Sequence, residues 1–358
     1  MSMTKISAAK IVCKTLIAAA VLLFLGCERQ MAPQSEFVLG TVCSINLYEA
    51  GSADLYGTLF SRLRQLNDIF NNYSDSSEIS RVNQNAAAAP VAVSQDFFVV
   101  LKTALDFARL TGGAFDPTVG PLVKLWGFGK EPRVPSQEEI AAAQKLVGWQ
   151  CVALSAEQEG VTDQEAAAGP YVRFTKSGVR LDLGAIAKGY AADCLVDILR
   201  ERGVQRASLS LGGNVYVYGK KPGGSLWSVA VRNPEKPGQN SFMLKTQNAT
   251  VVTSGAYERF FVQDGKTYGH IIDPVTGFPA QSGLASVTIV SHNSMVADAL
   301  STSLFILGME KIPEIKKSAL AGGFECVLVD ASGKAYASKG LKGALSALNG
   351  QTIDWLPQ

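Results

Sequence analysis

Hydrophobic and polar positions alternate differently in three parts of the chain. Before residue 27 the only charges are Lys5, Lys10 and Lys14, and an unbroken apolar run extends from Leu16 to Leu25. At 1.5 Å per residue that run falls well short of the ~30 Å of hydrocarbon that a helix must cross, so it reads as the core of an export signal. Phe37 to Tyr48 then alternates and reads as one strand with Gly40 inside it. Leu55, Leu59, Leu63, Leu66 and Phe70 recur at helical spacing and predict a long amphipathic helix. Phe97, Leu101, Ala104, Leu105 and Ala108 predict a second, closed by Gly112-Gly113. Ser136 with Glu139 is a capping-box pattern that opens a helix through Val147. Gly160 to Gly169 is polar and alanine-rich and reads as a surface excursion. From Tyr171 the runs shorten and become β-rich: Tyr171–Thr175, Ser208–Leu211, Trp227–Arg232, Thr250–Thr253, Ser286–Ser291 and Cys326–Asp330, with helices near Ala187–Arg202 and Val296–Leu307. No regular βαβ beat links them, so the pattern predicts an α+β fold rather than a doubly wound sheet.

Composition and charge sharpen this picture at the N-terminus. The small residue Gly26 directly before Cys27 resembles the processing site of bacterial lipoproteins, with cleavage before Cys27 and lipid on its thiol. An ordinary secretory signal or a short membrane anchor is the alternative. The expected organisation is a signal peptide over residues 1–26, a lipid-anchored tether over 27–36 and a single catalytic unit over 37–358. The 358 residues carry 33 Lys+Arg and 31 Asp+Glu. Removing the signal takes away three lysines and no acids, leaving 30 basic against 31 acidic side chains and a net charge of −1. Such a balance gives nucleic-acid binding no electrostatic support. A hydrophobic share of 47% excludes a disordered or collagen-like chain. Cys43, Cys151, Cys194 and Cys326 remain in the mature chain without a C-x-x-C pair. Buried free thiols are expected of them, with disulfides outside the cytoplasm as the alternative. The chain has only 2 His, which excludes a His-rich zinc or iron site and directs any metal to oxygen ligands, as magnesium or calcium prefer.

Several stretches hold more Gly, Asp and Thr than packing requires. They are Gly112–Leu122 (GGAFDPTVGPL), Asp182–Asp193 (DLGAIAKGYAAD), Leu211–Asn214 (LGGN), Thr253–Arg259 (TSGAYER), His270–Gly277 (HIIDPVTG) and Ala297–Thr302 (ADALST). Taken together and in this order they resemble the FAD:protein FMN transferase (ApbE) family of periplasmic lipoproteins, from about Phe37 to the C-terminal strands. The resemblance implies a two-lobed, T-fold-like α+β unit with mixed and antiparallel sheets and packed helices. It implies Mg²⁺-dependent transfer of FMN from FAD to a Thr or Ser hydroxyl of an acceptor protein through a phosphoester bond, with release of AMP. The implied acceptors carry a D-x-x-[ST]-G-A-[ST] motif and are redox-chain subunits. The implied place is the periplasmic side of the inner or outer membrane, reached through a lipid anchor.

The residues suit that chemistry on their own terms. Breaking a diphosphate needs charge neutralisation and an in-line nucleophile. Asp298 and Thr302 are four apart on one helix face, and the Gly184-Ala185 turn can present a bare carbonyl to the same ion. The resemblance assigns the metal to Ala185, Asp298 and Thr302, and a helix N-terminal charge is the plain alternative for Asp298. Lys188, in the first turn after Ala185, suits an anion site with the helix N-terminal N–H groups, or else is a surface lysine. Flavin-contacting positions implied by the resemblance are Leu39, Tyr73, Ala114, Phe115, Asp116, Asp182 and Ile272. Leu39 stands where the family often has Met, which keeps an apolar contact and loses a thioether. Tyr73 is a stacking partner for a flat ring or an exposed turn tyrosine. Asp116 is a ligand contact or a turn residue before Pro117. Trp126 reads as core. His270 matches the family's catalytic histidine, and an unperturbed pKa near ~6.5 would suit a general base; a structural or phosphate-binding histidine is the alternative. Hydrolysis of FAD to FMN and AMP, or FAD binding without cleavage, remain open as rival activities.

Overall fold

The computed structural model describes residues 32–48, 52–128, 130–156 and 169–357. The signal segment and Cys27 lie outside them, as does most of the Gly160–Gly169 stretch. The first element among the described residues is a hairpin, β1 (Gln34–Val38) and β2 (Thr41–Leu47), where the alternation predicted one strand. Leu39 and Gly40 both take positive φ, 56° and 70°, which is what a tight two-residue hairpin turn requires. Period-2 alternation runs through such a turn unbroken, so the pattern hides it. Helix α1 (Ala53–Phe70), capped by Ser52, buries Leu55, Leu59, Leu63, Leu66 and Phe70 as predicted. A short helix that the spacing does not signal follows, α2 (Glu78–Asn85), started by the Ser77 cap. After β3 (Val91–Ala92), α3 (Gln95–Leu110) runs to Thr111 and the positive-φ pair Gly112 and Gly113. Helix α4 (Gly120–Trp126) also escapes the periodicity, and α5 (Gln137–Gln144) has the expected capping box but stops short of Val147.

The remaining strands are β4 (Val152–Ser155), β5 (Tyr171–Phe174), β6 (Ala207–Leu211), β7 (Asn214–Tyr218), β8 (Trp227–Arg232), β9 (Asn240–Thr246), β10 (Ala249–Gly255), β11 (Phe260–Gln263), β12 (Lys266–Gly269), β13 (Leu284–Ser291), β14 (Glu325–Asp330), β15 (Ala335–Ala337), β16 (Leu345–Ala347) and β17 (Ile353–Trp355). Helices α6 (Ala187–Glu201), α7 (Ser294–Leu307) and α8 (Ile312–Lys316) are interleaved with them. A nine-stranded sheet in the order β1-β2-β6-β7-β10-β13-β14-β15-β17 forms the backbone of the molecule. It is antiparallel apart from the β15–β17 pair. Its two faces are covered differently. Leu209, Tyr216, Val252 and Leu328 point into the main core with α6 and α7. Their alternates Val217, Val251, Val327 and Val329 pack on Trp227, Val229, Phe242 and Leu244 of the three-stranded β16-β9-β8 sheet. This is the α+β arrangement expected, with alternation setting which residue meets which layer.

Cys43 and Cys326 are buried free thiols, and Cys151 and Cys194 are free and partly buried. Burial pushes the Cys43 thiol up to about 11, so it is inert as a nucleophile at neutral pH. Trp126 is fully buried and its indole donates to the Gly277 carbonyl at 2.8 Å, which fixes it as core.

Candidate active site

The site is assembled where α6 meets α7. In a helix continued backwards from α6, the Gly189 N–H would close on the Ala185 carbonyl. It donates instead to Asp298 Oδ2 of α7, at 2.9 Å. The exchange is possible because position 189 is glycine. An added Cβ would sit 2.2 Å from the Ser294 carbonyl oxygen and 2.7 Å from Met295 Cα. Gly189 thus serves close helix–helix approach rather than ligand access, and it leaves the Ala185 carbonyl without a backbone donor.

Asp298 is buried, at 3% exposure. The Lys188 ammonium lies 3.7 Å from Oδ2 and also donates to the Gly184 carbonyl at 3.0 Å. One turn on, the Ser301 and Ser303 hydroxyls bond back to their own helix at the Asp298 and Ala299 carbonyls. Thr302 does not; its hydroxyl lies 3.4 Å from Ser254 Oγ on β10. Asp298 Oδ1, Thr302 Oγ1 and the Ala185 carbonyl are therefore oxygens that the fold leaves uncommitted or loosely held. Among the described residues no three His, Cys, Asp or Glu side chains converge. A hard cation here would use this mixed set of one carboxylate, one hydroxyl and one carbonyl, and complete its shell from water and substrate phosphate, as Mg²⁺ prefers. The donor set fits.

The cleft has a volume of about 310 Å³, within the range of small-molecule sites. Every site residue singled out in the sequence, Cys27 apart, lines it. Ala114 and Phe115 are buried wall residues. Asp116 is committed to its own loop. Oδ1 accepts from the Thr118 N–H (2.7 Å) and hydroxyl (2.6 Å), and Oδ2 from the Trp149 N–H (3.0 Å). This favours the turn reading for its carboxylate, although burial still raises its pKa. Asp182 accepts from Gly184 N–H at 2.9 Å, which shapes the turn into α6, and burial raises its carboxyl too. Tyr73 stands at the cleft lip, 61% exposed, with its hydroxyl on the Phe128 carbonyl; a broad exposed ring face is what stacking requires. Ile272 is buried against Trp126, Leu122 and Ile140.

His270 follows directly from the β11–β12 hairpin. Its Nδ1 lies 3.1 Å from the Arg259 carbonyl, which also accepts the His270 backbone N–H at 3.0 Å. A carbonyl only accepts, so the ring proton resides on Nδ1 and Nε2 keeps a free lone pair. Burial, with the Arg259 and Lys188 charges, lowers the imidazole to about 4. This corrects the expectation of an unperturbed value, since burial was not readable from sequence. The ring is neutral at physiological pH, as a proton acceptor must be, and is a weaker base than assumed.

Sequence reasoning left Arg259, Glu258 and Asn214 without roles, and all three line the cleft. Arg259 Nη2 reaches across to the Gly40 carbonyl at 3.2 Å, joining the two hairpins at the cleft mouth. The Arg259–His270 pairing spans a hairpin, and no local spacing reveals it.

The ApbE family model matches residues 39–328. A FAD:protein FMN transferase of Treponema pallidum (strain Nichols) is 38% identical over 78% of this chain and 79% of its own length. One from Vibrio cholerae is 34% identical over 92% of this chain and 97% of its own length. Among solved structures, an ApbE protein from Thermotoga maritima superposes with a TM-score of 0.76 at 32% identity, covering 87% of this chain and 98% of that one. The flavin transferase ApbE from Vibrio cholerae does so with 0.73 at 30% identity and the same coverage. Similarity of this extent, over a chain whose core and cleft occupy the matched region, means that the protein belongs to the ApbE family and is, like these relatives, a transferase.

Proposed function

We propose that this enzyme transfers FMN from FAD to a Thr or Ser hydroxyl of an acceptor protein, forming a phosphoester and releasing AMP. The observation that carries the reading is the meeting, in one cleft, of the Ala185–Asp298–Thr302 oxygen set, the Lys188 ammonium and the bare Nε2 of His270. A bound Mg²⁺ would neutralise diphosphate charge and orient its oxygens. Lys188 binds a phosphoryl oxygen as a point charge. Phe115, Ile272 and Leu39 give the flavin an apolar bed, and Tyr73 stacks on its exposed face. His270 Nε2 takes the proton of the attacking hydroxyl while the Arg259 carbonyl holds the ring by Nδ1–H. The bond formed is acceptor oxygen to the FMN-side phosphorus; the bond broken joins that phosphorus to the bridging oxygen, which leaves on AMP. We further propose a lipid anchor at Cys27 outside the cytoplasmic membrane, with redox subunits bearing the D-x-x-[ST]-G-A-[ST] motif as acceptors. That placement rests on the export-signal pattern alone.

The test is product analysis with the chain from residue 28 onward, FAD, Mg²⁺ and an acceptor domain carrying the motif. AMP release that depends on acceptor and yields no free FMN is the expected result. Equal AMP release without acceptor, with free FMN, would make water the nucleophile and the protein a hydrolase.

A further inference from the structure

The LGGN stretch has no role in the account above, yet it ends on an unusual side chain. Asn214 opens β7 in the middle of the main sheet and is 3% exposed. Its amide Nδ2 is buried without a hydrogen-bond partner. Buried amide donors are ordinarily paired, and Asn is disfavoured in strands, so packing alone does not account for the residue. Turn chemistry does not either. The left-handed turn positions are taken by Gly212 (φ 59°) and Gly213 (φ 100°), and Asn214 is not among the positive-φ residues.

Its surroundings are those of the cleft. A Cβ on Gly212 would strike Thr41 Oγ1 at 2.5 Å, and one on Gly213 would lie 3.7 Å from the Glu258 carboxylate oxygens. Thr41, Glu258 and Asn214 all line the cleft. Glu258 feels Arg232, Lys188 and Arg259, so three cations act on this wall alongside its one carboxylate. A neutral N–H donor in the cleft that also holds Lys188 and Arg259 suits an anionic oxygen without adding a further charge.

We propose that Asn214 is a substrate-binding residue whose side-chain amide donates a hydrogen bond to a phosphoryl oxygen of the bound dinucleotide. The inference rests on FAD being the substrate. The sequence singles out Asn214 only as part of a glycine-rich turn; its burial and missing partner supply the rest.

The experiment compares the unaltered chain with Asn214→Asp and Asn214→Leu. Dissociation constants for FAD, ADP and riboflavin are measured by fluorescence or calorimetry, together with thermal melts. Asp keeps the volume and turns the donor into an acceptor, and Leu removes both polar atoms. Both variants should weaken FAD and ADP by about tenfold or more, the worth of one hydrogen bond, and leave riboflavin unchanged. Asn214→Leu should melt no lower than the unaltered chain, because a donor without a partner contributes nothing to the free fold. Unchanged FAD binding in both variants would overturn the proposal. So would an equal loss for riboflavin, which would place the bond on the flavin ring, or a large drop in melting temperature in both, which would make the amide structural. Failure of the unaltered chain to bind FAD would instead remove the functional reading itself.

Discussion

The contact between Gly189 and the start of α7 makes a demanding prediction. Gly189→Ala places a methyl 2.2 Å from the Ser294 carbonyl oxygen, where ordinary contact begins at 3.4 Å. The neighbours are backbone, so rotamer changes cannot relieve the clash and the helices must part by about 1 Å. Overpacking of this kind costs about 1–3 kcal/mol, offset by about 1 kcal/mol from the better helix propensity of Ala. The net loss is on the order of 1 kcal/mol, a fall of a few degrees in Tm. The larger effect is on chemistry, because the same movement stretches the Gly189 N–H bond to Asp298 and separates Asp298 from Ala185. A misplacement of about 1 Å costs roughly a hundredfold in rate. Gly57→Ala is the control. Gly57 lies in the exposed face of α1 and an added Cβ meets nothing within 4 Å, so that change should stabilise by about 0.5–1 kcal/mol and leave turnover alone. Thermal melts and initial rates of AMP release are the assays. A Gly189→Ala enzyme that gains stability and keeps full rate, as Gly57→Ala should, would refute the reading of the α6–α7 contact.

Other consequences follow from the same geometry. Because His270 is lowered to about 4 and acts when neutral, kcat/KM should stay level from pH 8 to about 5 and fall below that; an acid limb near 6.5 would contradict the depressed imidazole. Arg259→Ala removes a charge that depresses this pKa, so the acid limb should move to higher pH, read from the same profile. Asp298→Ala should lower Mg²⁺-dependent turnover by at least ~10³-fold and weaken metal binding measured by calorimetry, and a fully active variant would end the metal assignment. Cys27→Ala should move the protein from the membrane to the soluble fraction on cell fractionation, and continued membrane association would remove the lipid-anchor reading.

The sequence was informative where a residue's neighbours along the chain determine its role. The Asp298–Thr302 spacing on a helix, the Ser136–Glu139 capping box and the glycine-rich turns all survive into the structure. It was misleading where a two-residue turn preserves alternation, as at Leu39–Gly40. It was silent where partners are distant in sequence. The Asp298–Gly189 bond, the Arg259 carbonyl behind His270 and the Lys188 charge that lowers its pKa join segments that no local pattern connects. Asp116 shows the opposite case, since its carboxylate closes a loop with Thr118 and Trp149, a use that resemblance alone would not disclose.

The central claim, that the cleft passes FMN to a protein hydroxyl, is tested most directly by intact-mass spectrometry of an acceptor domain after incubation with the enzyme, FAD and Mg²⁺. The account predicts a mass gain of one FMN on the acceptor, absent when its motif threonine is replaced by valine and absent with Asp298→Ala enzyme. An unmodified acceptor, in a reaction where the enzyme has demonstrably bound FAD, would contradict it.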